Sequence, residues 1–407
     1  MRSWLTYIFL SMVACATVLT SCNDVLSEEG FSNCSDRTTV RLTISFGGDG
    51  GPMSRDVGTD PVPEDDDLDD TTEEQAEIVA EDIYALVVDA SDKFLYRIKD
   101  LTIKDGPASD GYYTRTLEGT MIQTTQQVKI VLLANLIQNK ITVNTTALDS
   151  KINVETFIDG YEGQNVDVNT IYNQLIYNYD GTTTPWTLTG DKARRIPMWG
   201  ESQPTTVPPT ESIDLTCYLY RALAKVQIWV NMKDGIDGFV INSIKVNNIH
   251  TKGYCVSQAD FDDDSQHYAG TNGFKPYVAP YPYIPADKEE YSYQSVTYNS
   301  IPTEDGKTKY FSDMIYLPEQ ENTDESNVTI TVYYTYNNNK YGSLDPDVEP
   351  YGEPGIIEFK IDGKGDRFDI IRNHSYIFNI NKVEEVTGKI YYVVDEWDAE
   401  TINIPFN

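Results

Sequence analysis

Apolar and polar positions alternate most cleanly in TVRLTISF, Thr39 to Phe46, where Val40, Leu42, Ile44 and Phe46 fall on one face. A period of two predicts a strand with one buried side. IYALVV (Ile83–Val88), Phe94–Ile98 and Tyr112–Leu117 predict further strands. VKIVLLA, Val128–Ala134, is apolar throughout, as a central strand is. From Asn135 to Tyr179 the apolar spacing changes to threes and fours, which predicts short helices inserted between strands. Asp167 is placed to cap the second helix, with Ile171, Leu175 and Ile176 on its buried side. IPMWG, Ile196–Gly200, is a short apolar element.

The SQPTTVPPTES segment, Ser202–Ser212, has no apolar periodicity and reads as a domain boundary. Strands are then predicted at Ile213–Tyr220, Ala222–Val230, Phe239–Asn247, Tyr310–Leu317, Val328–Tyr336, Gly355–Ile361 and Arg372–Ile380. Tyr334 and Tyr336 either pair across a sheet or lie exposed. At the end of the chain, Lys389–Val394 and Thr401–Phe406 are two strand-like runs flanking the polar insert DEWDAE. Ile390, Tyr392 and Val394 mark the first run, and Ile402, Ile404 and Phe406 the second, with Trp397 expected at or near the bend. Two readings fit this ending: an edge strand that closes its own sandwich, or strands that complete a neighbouring subunit. The pattern as a whole predicts an all-β chain of two tandem β-sandwich domains, with short helices in the N-terminal one.

Composition narrows the function classes. A chain of 407 residues suits two domains, and a formal charge of -33 repels nucleic acid and anionic lipid. Residues 1–22 have a basic start, an apolar run and small residues before Cys22, as an export signal does. Their ending LTSC resembles the bacterial lipobox, which implies cleavage before Cys22 and lipid attachment to its thiol. Residues 23–36 read as a polar tether. From Asp56 to Glu74 the chain is almost entirely Asp, Glu, Pro, Gly and Thr, so it packs no core and stays exposed. Arg55 stands at the head of this segment, where a trypsin-like protease finds a basic site. The alternative is an uncut surface loop.

Catalytic patterns are sparse. The sequence holds no GxSxG, HExxH or P-loop, and His250, His267 and His374 are too scattered to form a local ligand set. Asp262, Asp263 and Asp264 lack the alternating oxygen-ligand order of a calcium loop, as does the acidic run from Asp65 to Asp70. The expectation is therefore no enzyme, no cofactor and no metal. Tyr277, Tyr281 and Tyr283 either stack against sugar or protein or pack among their own prolines. Cys217 reads as a buried small hydrophobe, with a Cys217–Cys255 bridge left open.

Several of these features occur together in one known family. The lipobox at Cys22, the strand before Arg55, IPMWG, LYRALAKVQIWV, RNHSYIFNI and the ending W–DAETINIPF together resemble the Bacteroidales fimbrillins, subunits of type V pili. The resemblance implies two sandwich domains of transthyretin-like topology and export as an outer-membrane lipoprotein. A trypsin-like protease then cuts between Arg55 and Asp56. The cut removes the strand bearing Val40, Leu42, Ile44 and Phe46, and a donor from the next subunit fills the groove. On that reading residues 1–22 are signal, 23–37 tether, 38–55 the removed strand, 56–212 and 213–388 the two domains, and 389–407 the donor extension. The donor residues are Ile390, Tyr392, Val394, Ile402, Ile404 and Phe406. Arg221, Ala224 and Lys225 match the start of the second domain, with a packing role. The implied partners are other copies of the chain, other fimbrial subunits, the protease and the outer membrane, and the destination is an extracellular fimbrium. A stalk subunit is favoured over an anchor or tip subunit. The rival from another class is a lipid-anchored glycan-binding protein of a nutrient-uptake system.

Overall fold

The computed structural model describes residues 37–46, 78–105, 115–178, 195–230, 239–250, 252–256, 327–343, 345–360, 375–383 and 390–397. It also describes short pieces at 261–262, 267–268, 288–293, 298–302, 308–312, 315–320, 322, 370 and 372–373. Among the described residues the chain is all-β, with helices only in its first half.

The first half supplies β1 (Arg37–Phe46), β2 (Ile83–Asp89), β3 (Phe94–Ile98), β4 (Thr102–Asp105), β5 (Arg115–Ile122) and β6 (Thr124–Ala134). A small hairpin of β7 (Thr142–Val143) and β8 (Thr146–Ala147) precedes helices α1 (Lys151–Asp159) and α2 (Asn169–Tyr172). Next come β9 (Ile176–Asn178), β10 (Met198–Glu201), β11 (Thr205–Val207) and β12 (Ser212–Arg221). Nine of these strands make one sheet, in the order β3-β2-β6-β10-β12-β1-β5-β4 with β11 on β6. Val40, Leu42 and Ile44 of β1 share a buried cluster with Ala85 and Val87 of β2 and Ile130 and Leu132 of β6. The sheet therefore folds over on itself as a sandwich, with β1 in one layer and β2 and β6 in the other.

IYALVV is apolar at every position because β2 is buried on both faces. Its other face, with Tyr84, Leu86 and Val88, packs under the helices against Val154, Ile158 and Ile171. Ser150 caps α1 by accepting from the Asn153 amide. Arg97 of β3 then pins that helix, its guanidinium 2.9 Å from Asp159 Oδ1 and 3.0 Å from Glu155 Oε1. In α2 the residue at the N-cap is Val168, and Asp167 accepts from the Asn169 amide through its Oδ1. Ile171 and Leu175 are buried as expected, whereas Ile176 has already entered β9 and is only half-buried.

A buried polar group sits where β6 ends. Asp82 Oδ2 accepts from the Ile137 amide at 2.8 Å, and Asn135 donates through Nδ2 to the Ile196 carbonyl. Burial pushes the Asp82 carboxyl up to about 6, against the Ile137 amide, which favours the anion. A raised carboxyl is protonated in the folded state before it is in the unfolded one. It therefore costs stability as pH rises from about 4 through about 6. Asp82→Asn keeps the acceptor and removes the charge. We expect it to raise stability at pH 7 by up to about 3 kcal/mol, with the gain shrinking as pH falls below 6. Urea unfolding of both chains at pH 5 and pH 7 measures this; an equal gain at both values refutes it.

The second half supplies β13 (Leu223–Val230), β14 (Phe239–His250), β15 (Lys252–Tyr254), the pair β16 (Phe261–Asp262) and β17 (His267–Tyr268), β18 (Lys288–Tyr293) and β19 (Tyr298–Pro302). These are followed by β20 (Thr308–Ser312), β21 (Ile315–Pro318), β22 (Thr329–Tyr336), β23 (Asn339–Tyr341), β24 (Gly355–Glu358), β25 (Ser375–Val383) and β26 (Ile390–Trp397). Six form the sheet β19-β20-β13-β25-β26 with β21 on β13, and five form β18-β14-β22-β23 with β24 on β22. Val226, Ile228 and Phe378 of the first sheet share a core with Ile244, Ile330 and Val332 of the second. Tyr334 is buried, stacked on Tyr341 and Phe239, while Tyr336 is half-buried.

The passage between sandwiches differs from the expected boundary. Ile213–Tyr220 lies in β12, which hydrogen-bonds into the first sheet, so the change of sheet comes at Ala222 and not within Ser202–Ser212. Cys217 and Cys255 are free thiols, both buried but in different clusters, so no bridge joins them.

Candidate functional site

The element that organises the first sandwich is β1. Its alternation puts Val40, Leu42 and Ile44 into the core at 0% exposure, while Arg41 and Thr43 face solvent. Neither edge of the strand is open. It runs parallel to β12, from Thr39 opposite Ser212 to Phe46 opposite Leu219. On the other side it runs antiparallel to β5, from Arg37 opposite Ile122 to Ile44 opposite Arg115. β1 thus fills a slot whose walls are β12 and β5 and whose floor is the first core.

The slot is shaped for this strand. Thr38, fully buried, donates its hydroxyl to the Pro208 carbonyl at 2.7 Å. Gly119 of β5 stands opposite Val40, and a Cβ there would lie 2.6 Å from Ile98 Cγ2, so only glycine lets β5 run this close to β3. On the solvent side Arg41 Nε lies 3.2 Å from Glu118 Oε1, and its Nη1 is 3.9 Å from Asp214 Oδ1. The Lys104 ammonium, with Arg41 beside it, holds the Glu118 carboxyl below its ordinary value. Losing β1 would strip the core of three aliphatic side chains and leave the facing amides and carbonyls of two strands without partners.

The last described strand, β26, lies at the end of the six-stranded sheet. It pairs antiparallel with β25, so that Ile390 is opposite Val383, Tyr392 opposite Ile380 and Val394 opposite Phe378. The strand also runs through the expected polar insert. Asp395, Glu396 and Trp397 are in register with Ile377, Tyr376 and Ser375, so Trp397 is the last described residue of the strand. An edge strand tolerates acidic positions that a central one does not. Cys22, Arg55, Asp56, Tyr277, Tyr281, Tyr283, His374, Ile402, Ile404 and Phe406 lie outside the described residues. Phe46 is described as part of β1 by its backbone.

At the junction, Arg221 ends β12 and its amide donates to Asn373 Oδ1 at 3.1 Å. Lys225 of β13 is 8% exposed, and burial, with the Arg221 charge second, pushes its ammonium down to about 7. That β12 is the parallel partner of β1 carries no local sequence signal, whereas the junction falls within LYRALAKVQIWV, whose Arg221, Ala224 and Lys225 match the start of a second domain. β12 comes far along the chain from β1, and only its own alternation, IDLTCYLY, marked it as a strand.

No protein-family model and no curated protein matches the chain. Solved structures do resemble it. A fimbrial assembly protein from Parabacteroides distasonis aligns at 13% identity and a TM-score of 0.42, over 88% of this chain and 96% of its own. The C-terminally truncated tip fimbrial protein Mfa3 from Porphyromonas gingivalis aligns at 11% identity and 0.42, over 88% and 99%. The fimbrial anchor protein Mfa2 from the same organism aligns at 9% identity and 0.31, over 88% and 97%.

Proposed function

We propose that this chain is a structural subunit of a surface fimbria that polymerises by strand exchange. Cleavage after Arg55 releases β1, and a terminal strand from another copy takes its place. The observation that carries the reading is the position of β1. A strand central to its sheet, with Val40, Leu42 and Ile44 fully buried, is followed in sequence by an acidic segment that begins at a basic residue. The motifs from Cys22 to the terminal INIPF support the same reading, with the lipidated precursor held at the outer membrane before the cut.

The end of the chain repeats the strand it replaces. Leu42-Thr-Ile44-Ser-Phe46 and Ile402-Asn-Ile404-Pro-Phe406 match at each core position. A terminal run seated in the same direction puts Ile402 where Leu42 was and Phe406 where Phe46 was. Pro405 then falls at Ser45 and gives up at most one ladder donor, near the end of the strand. The register of β26 narrows the expected donor. Ile390, Tyr392 and Val394 sit on a strand already paired with β25, so β26 roots the extension and Thr401–Phe406 does the exchanging.

Head-to-tail contacts of this kind do not close, and they build filaments. Deleting residues 398–407 leaves β26 in place and removes only the exchanging run. The cut, deleted chain is expected to remain monomeric in sedimentation. Polymers that form unchanged after that deletion would sink the proposal. A chain that stays uncut and monomeric while binding oligosaccharide saturably would favour the glycan-binding rival.

A further inference from the structure

The two sandwiches are joined by more than the covalent passage at Ala222. Arg372 is among the most deeply buried side chains in the molecule, at 1% side-chain exposure, against Glu319 at 3%. Its Nε and Nη2 donate to Glu319 Oε2 at 2.9 and 2.7 Å. Its Nη1 and Nη2 also donate to the carbonyls of Cys255 at 3.3 Å and Tyr254 at 3.1 Å. Those carbonyls belong to the end of β15, which pairs with β9 of the first half, Tyr254 opposite Ile176 and Gly253 opposite Tyr177. The Cys255 amide donates onward to the Leu175 carbonyl at 2.8 Å. Gly253 is required there, because a Cβ would fall 2.1 Å from the Tyr177 hydroxyl. The neighbouring Asn373 donates its amide to the Leu223 carbonyl at 2.9 Å and accepts from the Arg221 amide at 3.1 Å.

We propose that this buried knot, Arg372 and Glu319 with Asn373 and the β9–β15 clasp, locks the two sandwiches into a single cooperative body. The guanidinium is the hub. It is held by a carboxylate of the second sandwich, and it holds the carbonyls of Tyr254 and Cys255 at the end of the strand that pairs with β9 of the first half. A charge this deeply buried keeps its place only while those partners stay, so the sandwiches cannot swing apart without exposing or orphaning it. The continuity of one hydrophobic cluster from α1 to β25 adds to the lock. If strands are exchanged as proposed above, the lock gains a mechanical role. β12 walls the slot and continues as β13, which pairs with β25, and β25 carries β26 and the terminal run. The load path from one neighbour to the next then crosses this joint. That consequence rests on the exchange reading; the lock itself does not.

Calorimetry of the uncut, monomeric chain tests the lock without any polymer. The native chain is expected to unfold in one transition whose calorimetric and van't Hoff enthalpies agree. The double variant Arg372→Met with Glu319→Met removes the hub without orphaning a charge, and it is expected to split unfolding into two transitions. Gly253→Ala, which presses a methyl into the Tyr177 ring, should split it from the other side of the clasp. Asn373→Gly keeps the left-handed backbone at φ 60° and drops the side-chain bond, so it should separate the transitions less. These two single variants answer the question even where the double variant does not fold. Two transitions in the native chain, or a single transition retained in the variants, would overturn the lock. Multimer formation in the cut chain reads the exchange hypothesis separately.

Discussion

Cutting the chain after Arg55 is expected to turn a monomer into head-to-tail multimers, visible as a ladder on mild denaturing gels and as a shift in sedimentation. The size of the effect follows from β1. Burying Val40, Leu42 and Ile44 is worth about 1.5–3 kcal/mol each in gross terms. To this is added the pairing of the β12 and β5 backbones along the slot. A body that has lost β1 is therefore poorly stable alone and strongly stabilised by any strand of matching period. The terminal run of another copy has that period in its sequence, and it is present at the same concentration as the slot. Arg55→Gln should leave the chain monomeric in the presence of a trypsin-like protease. Multimers forming equally from that variant would mean that Arg55 is not the trigger.

Leu42→Ala in the uncut chain is the second large effect. Leu42 is fully buried, between the register positions of Leu117 on β5 and Leu215 on β12. Truncating it leaves a cavity in a core floored by β2 and β6, at a cost of about 2–5 kcal/mol. Arg41→Ala, one position away, removes an ion pair whose arginine is 48% exposed, and it should cost no more than about 1 kcal/mol. Denaturant unfolding of the two variants separates the core face of β1 from its solvent face. Equal losses would contradict the placement of the strand.

Much of this was legible in the amino-acid pattern, and the failures have physical causes. The alternation of Val40, Leu42 and Ile44 predicted both the strand and its buried face, and IYALVV and VKIVLLA were apolar enough to mark the doubly buried β2 and β6. The position of β1 within the sheet was not legible. Its neighbours are set by contacts between distant segments, which leave no local periodicity. The change of sheet at Ala222 was hidden because β12 and β13 read as one long run from Ile213 to Val230. The Pro-rich break at Ser202–Ser212 holds the short strand β11, which pairs with β6, and it returns the chain to the same sheet. Three-residue strands such as β9 and β15 are too short to show a period, and nothing near Arg372 in sequence points to Glu319. The last strand ran past its expected end because Asp395 and Glu396, unlikely inside a sheet, sit comfortably at its edge.

The claim that matters most is that Thr401–Phe406 of one copy occupies the β1 slot of another. A cysteine trap addresses it directly. In β1, Leu42 stands opposite Leu117, and the matching register places Ile402 at that position. The chain is begun after Cys22, Cys34 is replaced by serine, and Cys217 (which stands opposite Ile44 in the same slot) and Cys255 are replaced by alanine, so that only the engineered pair reports. A chain carrying Leu117→Cys and Ile402→Cys is oxidised before and after cleavage at Arg55, then run on a non-reducing gel. The account predicts an intermolecular disulfide ladder only after cleavage, and none from the pair shifted by one residue, Leu117→Cys with Asn403→Cys. No ladder, or an equal ladder from the uncut chain or the shifted pair, would contradict it.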